Sequence, residues 1–276
     1  MNYRHAYHAG NFADVIKHIA LVALIRHLQK KEKGFAVIDA QAGRGLYDLA
    51  APEAAKTGEA QAGIGRLHPS ADDPALLAAY LEIVRSAGPG RYPGSPLIAA
   101  RLLRPQDRLV AIEKHPEEFA QLKRALAPYA RARAVEGDGY AQLKALLPPP
   151  ERRGLVLVDP PYERDDEFVE AARALVAAHR RFATGICLWW YPLKSAAAAD
   201  AAIGELINAG MAKLCAVTFD TGARAADRLA AAGLVAVNAP FGFDSEMRGA
   251  LAQIAPRLAP ARNASWRVEW LAGENR

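Results

Sequence analysis

A carboxylate, two consecutive prolines and a tyrosine stand at Asp159-Pro160-Pro161-Tyr162, directly after the apolar run Gly154-Leu155-Val156-Leu157-Val158. The chemistry this group suits is transfer to an exocyclic amine. The lone pair of adenine N6 is delocalised into its ring, so it attacks only when both N–H bonds are held and the nitrogen is drawn toward tetrahedral geometry. Asp159 can accept one N–H, and the Pro160 carbonyl, stiffened by Pro161, can accept the other. The ring of Tyr162 can stack on a flipped-out base, so Tyr162→Phe, which keeps that ring, is expected to be milder than Tyr162→Ala. Asp-Pro and Pro-Pro are also ordinary turn signals, and the four residues taken alone allow a plain turn.

The elements that must position them follow from local pattern. Neither proline can donate to a sheet ladder and each fixes its own φ, so the apolar run reads as a buried strand that stops at Asp159. In open α/β sheets that carboxyl edge is where ligands bind. A similar strand at 35–38 leads into Asp39-Ala40-Gln41-Ala42-Gly43-Arg44-Gly45. The dinucleotide fingerprint G-x-G-x-x-G fails there because position 48 is Asp, and an acid followed by a degenerate glycine loop suits the methyltransferase form better.

A strand at 109–113 ends in Glu113, placed to bind ribose hydroxyls. Such an acid normally follows the glycine loop by about 20 residues. Here Asp39 and Glu113 lie 74 positions apart (113 − 39), so an insertion must occupy most of residues 46 to 94. Its content reads as helical, notably 74–85, where Leu76, Leu77, Tyr80, Leu81 and Val84 recur at helical spacing. Ser95 and Pro96 read as the N-cap and first position of a helix, and the Ser95 hydroxyl could also touch a ligand carboxylate. A strand at 132–135 runs toward Asp138-Gly139, where a nucleoside-binding fold often meets an adenine ring, although Asp-Gly is also a turn signal. Further strands are expected at 184–191, 214–219 and 234–237, with a helix at 168–179. The imitation of the motif at Val237-Asn238-Ala239-Pro240-Phe241 lacks the first proline and reads as a turn.

Asn11 can cap a helix over 12–30 with Asp14 at its third position. On that helix His18 shares a stripe with Leu21, Val22 and Ile25 and should face inward, with Lys17 beside it. A lone inward histidine is also an ordinary core residue. The polar and aromatic opening from Tyr3 to Asn11 could be a loose tail, but a tail that leads into a buried helix should be held against the body.

Composition sets the bounds. The 276 residues can bury a large core, and their mixture of β-branched and alanine-rich runs suits one α/β domain with an addition. A formal charge of +5 is compatible with a nucleic-acid partner and also common among soluble enzymes. No apolar stretch is long enough to span a bilayer and the opening has no apolar signal core, so the cytosol is expected. Cys187 and Cys215 lie in apolar runs and are expected as buried free thiols. No Cys/His group has zinc spacing, and no metal is expected.

In this order the pieces resemble the RlmJ family, 23S ribosomal RNA adenine-N6 methyltransferases that use S-adenosylmethionine. The most specific block is Tyr3-Arg4-His5-Ala6-Tyr7-His8-Ala9-Gly10-Asn11-Phe12-Ala13-Asp14-Val15-Ile16-Lys17-His18. Arg91-Tyr92-Pro93-Gly94-Ser95-Pro96, Glu113-Lys114-His115-Pro116, Asp159-Pro160-Pro161-Tyr162-Glu163 and the segment 188–192 match as well. The resemblance implies a Rossmann-like core (1–45 and 95–276) with a small helical insertion (46–94), acting without a metal. It implies that His18, Ser95, Glu113, Asp138, Gly139 and Asp159 bind S-adenosylmethionine, that Asp159 is the catalytic acceptor, and that Tyr3 meets the substrate adenine. Lys17, Pro160 and Tyr162 are placed with Tyr3 on the substrate side. Gln41 stands where the family commonly has His, and is placed at the cofactor with a contact left open. The partner implied is 23S ribosomal RNA; no further subunit is implied and a monomer is expected. Two alternatives remain: a DNA adenine-N6 methyltransferase, against which stands the absence of a large duplex-reading domain, and a non-catalytic RNA-binding protein on the same scaffold, against which stands the intact Asp159 to Tyr162 quartet.

Overall fold

The computed structural model describes residues 5–164, 166–223, 229–259 and 263–273. Its elements in chain order are α1 (Phe12–Gln29), β1 (Ala36–Asp39), β2 (Leu46–Asp48), α2 (Pro52–Thr57), α3 (Glu59–Ala62), α4 (Ala75–Arg85), β3 (Arg91–Pro93), α5 (Ser95–Leu102), β4 (Arg108–Glu113) and α6 (Pro116–Leu126). There follow β5 (Ala132–Glu136), α7 (Gly139–Leu146), β6 (Gly154–Val158), α8 (Glu167–Arg181), β7 (Ile186–Pro192), α9 (Ala196–Asn208), β8 (Leu214–Asp220), β9 (Ala231–Val237), α10 (Phe243–Leu258) and β10 (Ser265–Ala272).

Eight of the strands form one sheet in the order β10-β8-β9-β7-β6-β1-β4-β5. From β7 to β5 neighbours run parallel, whereas β9, β8 and β10 pair antiparallel. This is the Rossmann-like α/β arrangement expected. The strand order reverses between β1 and β6, so the chain opens a crevice at their carboxyl ends. Alternate residues feed two apolar layers: Val37, Leu109 and Leu155 point to one face with α1, α5 and α10, and Ile38, Val110 and Val156 to the other with α8 and α9. Burial on both faces explains why these strands read as continuous apolar runs.

Helix α1 begins as expected: the Asn11 side chain accepts from the Asp14 N–H at 2.9 Å. Nearly all of the helix is buried, because it is covered on the side away from the sheet. Part of that cover comes from the inserted segment. The chain leaves at Gly45 and returns at Gly94, whose N–H donates to the Gly45 carbonyl at 2.8 Å. The segment is not all helix, since β2 and β3 pair antiparallel to close it. Helix α4 lays Leu76, Leu77, Tyr80 and Leu81 into the same core as α1.

Other expectations need correction. Ser95 does not cap α5; Gly94 occupies that position and the Ser95 hydroxyl turns to a carboxylate instead. Strand β10 has no legible alternation in the sequence because on this sheet edge only Val268 of its residues is buried. The turn at Asn238 is as read: its amide donates to the carbonyls of Ala183 at 2.8 Å and Gly185 at 2.7 Å, so it serves the turn. Both cysteines are buried and free. No helix of the described residues is long and apolar enough to cross a membrane, and among them no group of three or more His, Cys, Asp or Glu could hold a metal ion.

Candidate active site

Strand ends deliver the acids. The register sets Asp39 of β1 opposite Leu157 of β6, and the pairing continues one step as the Ala40 N–H donates to the Leu157 carbonyl at 3.0 Å. Asp159 thus emerges beside the glycine loop, and its backbone N–H donates to Gln41 Oε1 at 3.1 Å. Gln41 also lines the cavity described below, so its side chain stands between that backbone and the crevice. Helix α1 crosses above, and Lys17 Nζ donates to Asp159 Oδ2 at 2.5 Å and to Asp14 Oδ1 at 2.7 Å.

Lys17 was placed with the substrate; the structure places it between two carboxylates. Burial alone would strip its proton, but Asp14 and Asp159 outweigh burial and hold the ammonium charged, with its pKa raised. Asp14 is buried too, which by itself would raise its pKa. His5 and Lys17 overcome this and keep it well below the usual carboxylate range. Its Oδ2 accepts from the Gly10 N–H and from His5 Nε2, both at 2.9 Å. Asp14 therefore ties the opening segment to the catalytic edge, a role that the sequence showed only as a helix-start residue. The i, i+3 spacing to Lys17 was the available signal.

Glu113 ends β4 with both oxygens engaged: Oε2 accepts from the Gly43 N–H at 2.8 Å and Oε1 from the His115 N–H at 2.7 Å. Gly43 makes this possible with φ of +62°, and a Cβ there would meet the Tyr47 hydroxyl at 2.3 Å. Burial raises the Glu113 pKa despite these bonds. Asp138 caps α7 from the Ala141 N–H at 3.2 Å and pairs with Lys114 at 3.1 Å. Burial acts to raise its pKa, but these bonds and the lysine charge leave it lowered. At Gly139 a Cβ would lie 1.8 Å from the Ala40 carbonyl oxygen. No side chain fits there, so this glycine lets two sheet-edge loops touch.

Ser95 donates to Asp39 Oδ2 at 2.6 Å. Burial pushes the Asp39 carboxyl up to about 7, with the Ser95 bond opposing. His18 is buried beneath the crevice, and burial lowers its pKa to about 3, so it is a neutral imidazole.

Two cavities flank Asp159. One, of about 420 Å³, is lined by His18, Gln41, Ser95, Glu113, Asp138 and Gly139, and also by Pro160, which the sequence put on the substrate side. The other, of about 460 Å³, is lined by Asn11, Asp14, Tyr162, Trp190 and Lys194. Lys17 and Asp159 belong to both. The six residues assigned from sequence to a cofactor therefore share one chamber with Asp159, while Tyr162 faces the second. Tyr3 lies outside the described residues.

Tyr162 is less free than expected. Its hydroxyl donates to the Trp190 carbonyl at 2.9 Å and accepts from Trp189 Nε1 at 2.7 Å, and its ring lies 4.7 Å from that of Phe168. These anchors hold a backbone φ of +53°, uncommon for so large a side chain. Tyr162→Phe therefore leaves the Trp189 N–H unpaired and should lower stability by about 1–3 kcal/mol, a cost of the hydroxyl that adds to any loss of stacking. Urea unfolding tests this, and an unchanged midpoint would show that the hydroxyl bonds contribute nothing.

Comparison with known proteins gives the family. A family model described as "Ribosomal RNA large subunit methyltransferase D, RlmJ" matches residues 32–272. The protein named Ribosomal RNA large subunit methyltransferase J is 38% identical in Haemophilus influenzae over 280 residues, covering 99% of this chain and 100% of that one. Its Escherichia coli namesake is 38% identical over 282 residues, with the same coverage. The crystal structure of a Legionella pneumophila protein, 33% identical, superposes with a TM-score of 0.86 over 95% of this chain and 98% of that one. With identity at this level over nearly the full length and the fold shared, the chain belongs to the RlmJ family of ribosomal RNA large subunit methyltransferases.

Proposed function

We propose that this protein methylates N6 of an adenine in 23S ribosomal RNA with S-adenosylmethionine as methyl donor. The observation that carries the reading is the position of Asp159 and Lys17, where two separate chambers meet. A methyl donor in one chamber and an acceptor amine in the other can then meet at one carboxylate, which brings the reacting groups together.

The first chamber fits the cofactor by its donor set. It holds the buried, unpartnered His18 Nε2, His115 Nδ1 and Tyr140 hydroxyl, together with the Glu113 carboxylate already aimed by two backbone N–H groups. Glu113 would take the ribose hydroxyls, Asp138 and Gly139 the adenine, and His18, Gln41 and Ser95 the amino-acid end. When bound, S-adenosylmethionine supplies an electrophilic methyl group on sulfonium. Asp159 and the Pro160 carbonyl accept hydrogen bonds from the two N6 N–H groups, Tyr162 and Tyr3 hold the base, and Lys17 fixes the Asp159 carboxylate. Asp159 need not be a strong base, because the methylated ammonium loses its proton easily; it orients and stabilises charge.

Residues 46 to 94 form an insertion subdomain on the core made by 1–45 and 95–276, a reading supported by the hydrogen-bonded junction of Gly45 and Gly94. The work is expected in the cytoplasm, on RNA.

Glu113→Ala should weaken S-adenosylmethionine binding roughly 10- to 100-fold, as loss of hydrogen bonds to a charged group implies. Calorimetry on a variant with native circular dichroism decides; unchanged affinity removes Glu113 from the site. The function itself is tested by offering labelled S-adenosylmethionine with unmodified 23S RNA or duplex DNA, then mapping N6-methyladenine. Label confined to RNA adenine is expected. Label in DNA, or none, overturns the reading.

A further inference from the structure

Behind the first chamber lies a buried polar relay built from three elements. Tyr80 of α4 and Tyr92 of β3 bring their hydroxyls to 3.0 Å of each other. The Tyr92 hydroxyl lies 2.7 Å from Nδ1 of His18 on α1. The two tyrosines are 0% exposed and His18 1%. His18 Nε2 has no hydrogen-bond partner among the described residues, and the residue lines the chamber.

Proton bookkeeping selects one direction for this relay. Burial keeps the imidazole neutral, with its pKa lowered to about 3, and keeps both phenols protonated by raising theirs. There are thus two O–H protons and one ring N–H to place. If Tyr80 donates to Tyr92 and Tyr92 donates to His18 Nδ1, every hydroxyl proton is bonded, and the ring proton must sit on Nε2. If the relay runs the other way, His18 Nδ1–H donates to Tyr92 and Tyr92 to Tyr80. The Tyr80 proton then has no acceptor among the described residues, in a place fully shut from water. The first direction leaves only the Nε2–H without a partner, on a ring that lines the chamber, whereas the second leaves both the Tyr80 O–H and the Nε2 lone pair unmade, which is the costlier state.

We infer that Tyr92, backed by Tyr80, holds His18 as the Nε2–H tautomer, so that His18 presents a hydrogen-bond donor, not a lone pair, to the chamber. Tyr92 is then a positioning residue for cofactor binding. The donor selects what His18 can meet: a carboxylate such as that of the cofactor's amino-acid end, and not its ammonium. This last step rests on the cofactor reading above; the tautomer does not. It also gives the inserted segment a second task, because both tyrosines come from residues 46 to 94.

The free protein, labelled with ¹⁵N in histidine, tests the tautomer by long-range ¹H–¹⁵N correlation. His18 is expected with a protonated Nε2 and a bare Nδ1. A protonated Nδ1 in the wild type overturns the inference whatever any variant does. Tyr92→Phe removes the donor to Nδ1 and should shift His18 toward a tautomer mixture. Its affinity for S-adenosylhomocysteine should fall about tenfold, the effect of one hydrogen bond. Tyr80→Phe leaves Tyr92 able to donate, so His18 should stay Nε2–H and affinity should stay within about twofold of wild type. Tyr92→Phe with wild-type affinity and an unshifted His18 also overturns the inference. If Tyr92→Phe fails to fold, the wild-type spectrum and Tyr80→Phe still decide. A wild type that shows the expected tautomer but does not bind S-adenosylhomocysteine supports the relay and overturns the cofactor reading alone.

Discussion

Asp159→Asn is expected to retain cofactor and RNA affinity while losing turnover by about 100- to 1,000-fold, the usual effect of removing one electrostatic acceptor from a transition state. The structure makes this a clean substitution. The backbone bond from Asp159 to Gln41 does not involve the side chain, and an amide oxygen can still accept from Lys17, so the position of the group survives while its charge is lost. With the charge gone, an N–H of N6 is drawn less strongly as the nitrogen lone pair is freed, and the new ammonium is less well stabilised. Single-turnover rates with saturating RNA and S-adenosylmethionine read the chemical step directly. Wild-type rates in this variant would show that the mechanism proposed is wrong, even with the family membership unchanged.

The second large effect is expected at Lys17. Its ammonium stands between Asp14 and Asp159, with side chains 5%, 2% and 16% exposed. Lys17→Met keeps the length and removes the charge, which leaves two carboxylates facing each other with little water to screen them. Breaking a buried ion pair from one side costs about 3–5 kcal/mol, and unfolding should report a loss of that order. Turnover should fall at least as far as in Asp159→Asn, because Asp159 loses the partner that fixes its rotamer. Cofactor affinity should change much less. A Lys17→Met variant that is stable and active as wild type would mean that Lys17 is a bystander at the junction.

How far the site could be read from sequence differs by residue. Asp159, Glu113 and Asp138 were placed correctly at strand ends because the signals are local: an apolar run and then a residue that halts it. The fold class followed from the same runs. The N-terminal helix and its Asn11 cap were legible for the same reason, since a cap and the third helical position are three residues apart. Ser95 was misread as a cap because Ser-Pro at a helix start satisfies the local rule. Its hydroxyl finds Asp39, 56 residues distant in the chain, in the folded protein. Tyr162 was read for its ring and not for its hydroxyl, because Trp189 and Trp190 arrive on the next parallel strand.

By itself, then, the sequence determined which chemical groups stand at the carboxyl edge of the sheet and in what order. Alternation, proline stops and caps act over a few residues and need no partner. Only the tertiary structure decided which groups meet. Lys17 reaches Asp159 across 142 positions and Tyr92 reaches His18 across 74, because α1 lies over the sheet edge and the insertion closes over α1. Those distances come from packing two buried layers against one sheet, and burial then sets the charge states: an ammonium held between carboxylates, a neutral imidazole, and an Asp39 carboxyl pushed up to about 7. No periodicity in the chain encodes them, since desolvation and through-space charge exist only once the fold has excluded water.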